Sequence, residues 1–126
     1  MKQKKILLID DEDEVLDLMQ EDLKDERLLL YTATDGKQAL EILDRESIDC
    51  IISDIKMPEL DGLKLLNRIT ESKHKEIPFF FMSSFPNLEK LVLDKDSIKG
   101  FIEKPYENAD FLSLILKTVQ LENKAG

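Results

Sequence analysis

Apolar residues in this chain follow two rhythms that alternate from one end to the other. Short runs of strand length, "KILLID" (5–10), "LLLYTA" (28–33), "IDCIIS" (48–53), "IPFFFMS" (77–83) and "GFIEK" (100–104), are mostly rich in the branched and aromatic residues that suit a pleated, buried surface. Between them the apolar positions fall on helical spacings: Val15, Met19 and Leu23; Leu40 and Leu43; Leu63, Leu66 and Ile69; Phe111, Ile115 and Val119. Five strands alternating with five helices predict βα units, and so a parallel sheet with helices on both faces. The first, third and fourth strands are the most apolar and belong inside such a sheet, whereas "KGFIEK" is the most polar and belongs at an edge. The start of the second, "RLLLYTA", also reads as the end of a helix. No linker, low-complexity tract or repeat interrupts the pattern, so a single domain over residues 1–126, with a core over about 3–122, is expected.

The strand ends carry the chemistry. All but the second stop on a polar or charged group: Asp10 and Asp11 after the first, Asp54 after the third, Ser83 and Ser84 after the fourth, Lys104 and Pro105 after the fifth. In open parallel α/β sheets, ligands bind outside the carboxyl ends of the strands, where the strand order reverses. One polar residue there is ordinary turn or cap chemistry. Three carboxylates, a hydroxyl and a lysine from four segments instead describe a crevice.

Three carboxylates brought close together either raise a pKa or admit a cation. Oxygen-only ligands select a hard ion, and a site left open to water or phosphate suits Mg2+ better than a closed Ca2+ cage. Zinc is disfavoured, because Cys50 and His74 lie in different segments; Cys50 reads as a small core residue and His74 as a solvated loop residue. Lys104 can hold a phosphoryl oxygen opposite the metal and Ser83 another. Asp54 then reads as a carboxylate nucleophile for a phosphoryl group.

Composition narrows the donor and the partners. The net charge is −9, and the acid is concentrated in residues 1–61, with 18 acidic and 8 basic side chains against 9 and 10 in residues 62–126. Direct nucleic-acid contact needs clustered Lys and Arg and is not expected. The glycines, at 36, 62, 100 and 126, cannot build a phosphate-cradling loop, so the phosphoryl donor is a small molecule or another protein rather than a nucleotide. No apolar run approaches the ~20 residues that cross a bilayer. "MKQKKILLID" is too short in its apolar part for a signal peptide, so no membrane association and a cytoplasmic location are expected.

The segments "LLIDDEDEVLDLM", "IISDIKMPELDG", "FFFMSS" and "GFIEKPYE", in register over essentially the whole chain, resemble the receiver domain of response regulators, the phosphoacceptor module of two-component signalling. The most specific part is Asp-x-x-Met-Pro-x-x-Asp-Gly at a strand end. The resemblance implies a flavodoxin-like (βα)5 fold, a doubly wound five-stranded parallel sheet of order 2-1-3-4-5. It implies that Asp54 is phosphorylated, that Asp11 binds Mg2+ directly and Asp10 largely through water, and that the backbone carbonyl of Lys56 joins Asp54 in the ligand set. Ser83 would be the hydroxyl that reorients towards the phosphoryl group, Phe101 the aromatic switch behind it, and Lys104 the phosphate-pairing lysine. Pro58 and Gly62 are turn residues, and the bond before Pro105 is expected to be cis.

Implied partners are a histidine kinase or histidine phosphotransfer protein upstream, and a downstream protein or attached output domain. The face built from the fourth helix, fifth strand and fifth helix is the expected contact surface, for a partner or for a second copy in a homodimer. Phe111, Leu112, Leu114, Ile115, Leu116, Val119 and Leu121 together exceed one helix face, which favours such a surface. The family is a signalling domain rather than an enzyme, limited to Mg-dependent self-phosphorylation and slow self-dephosphorylation.

The chain departs from the family pattern in three places. "PNLEKLVLDKDSIKG" lacks the usual Ala and Gly content before the fifth strand, which implies a short, displaced or mobile fourth helix. Ser84 stands where Ala is usual, and Lys56 is a long cation beside the acceptor; both are expected to alter phosphoryl lifetime. Two other functions stay open: a pseudo-receiver that binds partners without taking phosphate, and a haloacid-dehalogenase-type phosphatase, which would turn over a chromogenic phosphate ester.

Overall fold

Four consecutive residues of β1 (Lys4–Ile9), Ile6 to Ile9, are 0% exposed. Successive side chains of a strand point to opposite faces, so a strand buried throughout must be covered on both. Two clusters do this. Leu7 and Ile9 join Ala39, Ile42, Leu43, Ile51, Ile69, Phe79 and Phe81 on one face. Ile6 and Leu8 join Leu16, Met19, Leu23, Ile52, Phe80, Met82, Phe111 and Ile115 on the other.

The computed structural model describes residues 3–54, 68–69, 77–83, 98–103 and 108–119. After β1 come α1 (Asp13–Asp22), β2 (Leu28–Ala33), α2 (Gly36–Arg45), β3 (Cys50–Asp54), β4 (Phe79–Ser83), β5 (Ile98–Glu103) and α3 (Asn108–Thr118), which is the expected fifth helix. Arg68 and Ile69 are helical as well. The strands form one sheet of order β2-β1-β3-β4-β5, and every pairing is parallel. The apolar strands β1, β3 and β4 are interior and the polar β5 is an edge, as the composition requires. Helices α1 and α3 cover one face and α2 the other. The chain therefore winds one way from β1 to β2 and the other way from β3 onwards, and the order reverses between β1 and β3.

Helix starts and stops have local causes. Asp35 caps α2 by accepting the Gln38 N–H at 2.8 Å, while the Gln38 side-chain oxygen accepts the Thr34 N–H at 2.9 Å and the Thr34 hydroxyl at 3.2 Å. α1 begins with Asp13 and Glu14, acids that suit the positive end of the helix dipole. Met19 and Leu23 are buried as expected, Val15 is partly buried against the same cluster, and Leu16 widens the buried face. In α2 the stripe includes Gly36 and Ala39 beside Ile42 and Leu43, and Leu40 is partly buried. On α3, Phe111, Ile115, Leu116 and Val119 are buried and Leu112 is partly buried, whereas Leu114 is 37% exposed.

The ambiguous entry into β2 is settled by a turn. The Asp25 carboxylate accepts the Arg27 backbone N–H at 2.8 Å and two guanidinium N–H groups at 2.9 Å, and the Asp25 carbonyl accepts the Leu28 N–H at 3.0 Å. The guanidinium and backbone N–H bonds of Arg27 hold the Asp25 carboxyl down to about 2, from an ordinary 3.8. A depressed carboxyl adds stability that is fully present above its unfolded value and is lost as pH falls through its folded one. Asp25→Asn is therefore expected to shrink the loss of stability between pH 3.8 and about 2, read as the difference between wild-type and variant urea midpoints across that interval.

A polar tie joins β1, β2 and the end of α2. Lys5 Nζ lies 3.1 Å from Glu46, whose Oε1 also accepts the Tyr31 hydroxyl at 3.1 Å. The Lys5 N–H donates to the Asp49 carboxylate at 2.8 Å, and the Asp49 N–H donates to the Lys5 carbonyl at 2.7 Å. The lysine and tyrosine bonds pull the Glu46 carboxyl below its ordinary value, and the Glu46 bond raises the Lys5 amine.

Candidate functional site

At the reversal point β1 delivers Asp10. Its backbone N–H still donates to the Ala33 carbonyl of β2 at 3.1 Å, so the residue is held on the sheet after the strand has ended. Its side chain is 1% exposed, and Oδ1 accepts the Glu12 N–H at 3.0 Å, an Asx-type turn that swings the chain into α1. Asp11 and Glu12, the next two residues, are exposed. Carboxylate oxygens of Asp10, Asp11 and Glu12 all lie within 4.8 Å of one another.

A buried carboxylate with two more at that spacing is a concentration of negative charge that favours a cation. The donors are all oxygen, and two of the three reach solvent, which fits a hard ion that keeps part of its water shell. Glu12 was not among the expected ligands. In "DDEDE" it reads as one more acid on a solvated helix start, and only the turn at Asp10 brings its carboxylate to the pair.

β3 brings its last residue to the same place. Ile9 pairs with Ser53, and Asp54 pairs with Met82, so the backbone of Asp54 stands one step past the β1–β3 ladder beside the position of Asp10. β4 ends on Ser83, which pairs with Glu103, the last residue of β5; Phe101 pairs with Phe81. The sheet thus gathers Asp10, Asp54 and Ser83 at the adjacent ends of β1, β3 and β4. Lys56, Pro58, Gly62, His74, Ser84, Lys104 and Pro105 lie outside the described residues, as does the expected fourth helix. Ser53, just before the acceptor position, is fully buried. Cys50 at the start of β3 is also fully buried, and desolvation pushes its thiol up to about 12, which leaves it a core residue and no ligand.

A doubly wound parallel sheet with an acidic group at its reversal point is the flavodoxin-like α/β class. The family model for the response regulator receiver domain matches residues 6–116, and the chain belongs to that family. It is 32% identical over 119 residues to the response regulator GtcR of Aneurinibacillus migulanus, a match covering 89% of this chain and 46% of that protein. It is 28% identical over 117 residues to an uncharacterized 14.6 kDa protein in the sodA1 3' region of Leptolyngbya boryana, covering 91% of this chain and 89% of the other. The crystal structure of the signal receiver domain of an HD domain-containing protein from Pseudomonas fluorescens Pf-5 is similar at TM-score 0.84 and 26% identity, covering 94% of this chain and 96% of that one. The chain spans less than two thirds of most of the curated relatives it matches. Among the described residues, no helix is long and apolar enough to cross a membrane.

Proposed function

We propose that the chain is a single receiver unit that takes a phosphoryl group onto Asp54 from the phosphohistidine of a histidine kinase or a phosphotransfer protein, or from a small acyl phosphate. A carboxylate oxygen of Asp54 attacks phosphorus; the new O–P bond forms as the donor bond breaks, N–P in a phosphohistidine with the electron pair returning to the imidazole nitrogen, or O–P in an acyl phosphate with the pair leaving on the carboxylate oxygen. Asp10, Asp11, Asp54 and the backbone carbonyl of Lys56 would hold Mg2+, which supplies neutralisation of the charge on the transferring oxygens. Lys104 pairs with a phosphoryl oxygen and Ser83 donates its hydroxyl to another, so that phosphorylation is felt at Phe101 on β5 and at the face around α3. Pro58, Gly62 and Pro105 are the turn residues of the matching motifs. That face then meets a downstream protein, an attached output domain or a second copy, and the cytoplasm is where such a relay operates.

The observation that supports this reading best is the strand register. The β1–β3 ladder runs to Ile9 and Ser53, so the backbones of Asp10 and Asp54 follow it as neighbouring strand ends, and Asp10 has two further carboxylates close by. After incubation with acetyl phosphate and Mg2+, the intact protein is expected to gain the mass of one HPO3, and EDTA is expected to prevent the gain. No adduct at saturating donor would instead favour a pseudo-receiver that binds partners without phosphate.

A further inference from the structure

We infer that the outer edge of β2 is a self-association surface, on which a second copy of this chain pairs antiparallel and extends the sheet across a two-fold axis. β2 is one edge of the sheet and β5 the other, and the two are finished differently. β5 carries Lys99 and Glu103, and its ladder with β4 is interrupted by a register shift between Phe79 and Phe80, devices that discourage further pairing. β2, "LLLYTA", has no charge, no proline and an unbroken ladder. The Arg27 and Ala33 carbonyls accept from the N–H groups of Lys4 and Asp10, so residues 27, 29, 31 and 33 turn their backbone groups towards β1. Those of Leu30 and Thr32 therefore point out of the sheet, where among the described residues no strand meets them.

Backbone and charge select the same register. When Leu30 faces Thr32 of the second copy, the two exchange both N–H···O bonds, and the two-fold axis repeats the exchange. Tyr31 then faces its own counterpart, and Leu29, 38% exposed, comes opposite Ala33 of the second copy. Past the strand ends, Arg27 approaches Asp35 and Asp25 approaches Lys37, opposite charges in both cases. Shifting the pairing by two residues sets Asp25 against Asp35 in one direction and Arg27 against Lys37 in the other. The edge is complementary to itself in one register only.

Sedimentation equilibrium of the full unphosphorylated chain tests this, with folding of each variant checked by circular dichroism. A strand-edge contact is a small interface, so the mean mass is expected to rise from monomer towards dimer between about 10 and 500 µM. Thr32→Pro removes an outward N–H and no bond to β1, and Thr32→Lys places a charge on the edge; each is expected to weaken association at least about 10-fold. Lys37→Glu is expected to weaken it about 3- to 10-fold. Leu114→Lys, on the exposed side of α3, is expected to leave it unchanged. Under oxidant, Tyr31→Cys is expected to cross-link as a disulfide dimer, whereas Thr32→Cys is not. A wild-type chain that stays monomeric to about 1 mM, a dimer that survives both Thr32→Pro and Thr32→Lys, or association abolished by Leu114→Lys would each overturn the inference, and none of them bears on phosphoryl transfer to Asp54.

Discussion

Asp54→Asn is expected to reduce phosphoryl transfer from acetyl phosphate below detection, a loss of at least roughly 10³-fold. The substitution keeps the size and shape of the side chain and removes the nucleophile, because an amide oxygen has neither the charge nor the basicity to displace a phosphoryl group. Charge makes the same change harmless to the fold. Asp54 is the last residue of β3, one step past the Ile9–Ser53 pair, and in the proposed site removing one of several like charges relieves repulsion in the metal-free protein. The urea midpoint of the variant should equal or exceed that of wild type, so lost transfer cannot be ascribed to unfolding. A variant that still acquires phosphate at a comparable rate would show that the acceptor lies elsewhere.

Ile51→Ala is expected to cost about 3 kcal/mol of unfolding free energy, within the usual span of about 2–5 kcal/mol for emptying a large aliphatic site. Ile51 is 0% exposed, lies between Leu7 of β1 and Phe79 of β4, and packs in the cluster under α2. Neighbours on three elements would have to move together to fill the space, and a close-packed sheet interior does not allow that. The urea midpoint should fall with an unchanged slope. Leu18→Ala provides the contrast: Leu18 is 63% exposed on α1, and its removal should change stability by no more than about 0.5 kcal/mol. Equal losses for the two variants would mean that the described core is not what holds the sheet together.

The parts of the fold legible in the sequence are those where one residue type dominates a whole element. β1, β3 and β4 are continuous apolar runs because both of their faces are covered, and such runs need no partner to be recognised. Helix faces are less legible. Gly36 and Ala39 are buried in α2 with little apolar signature of their own, and Leu16 joins Val15, Met19 and Leu23 on the core face of α1. Strand order leaves no local trace; the alternating rhythm implies parallel strands, and the order 2-1-3-4-5 came from resemblance. Ties between distant residues are equally silent. Lys5 meets Glu46 across 41 positions, and nothing near either residue announces the other. At the site, Asp10, Asp11, Asp54 and Ser83 stood out because each follows an apolar run. Glu12 did not, because an acid among acids at a helix start looks like solvated surface until the turn at Asp10 is known. Lys104 and Lys56, equally prominent in sequence, fall outside the described residues, and their roles rest on the motif.

In the proposed reaction, the reversal point of the sheet makes one strand-ending aspartate a metal-dependent phosphoryl acceptor. Locating the phosphoryl group tests it most directly. The protein is treated with acetyl phosphate in Mg2+ or in EDTA, reduced with borohydride to convert an acyl phosphate to a stable alcohol, and sequenced by tandem mass spectrometry. Conversion at Asp54 alone, in Mg2+ and absent in EDTA, is the expected result. Conversion at another carboxylate, or conversion at Asp54 that persists without divalent metal, would contradict it.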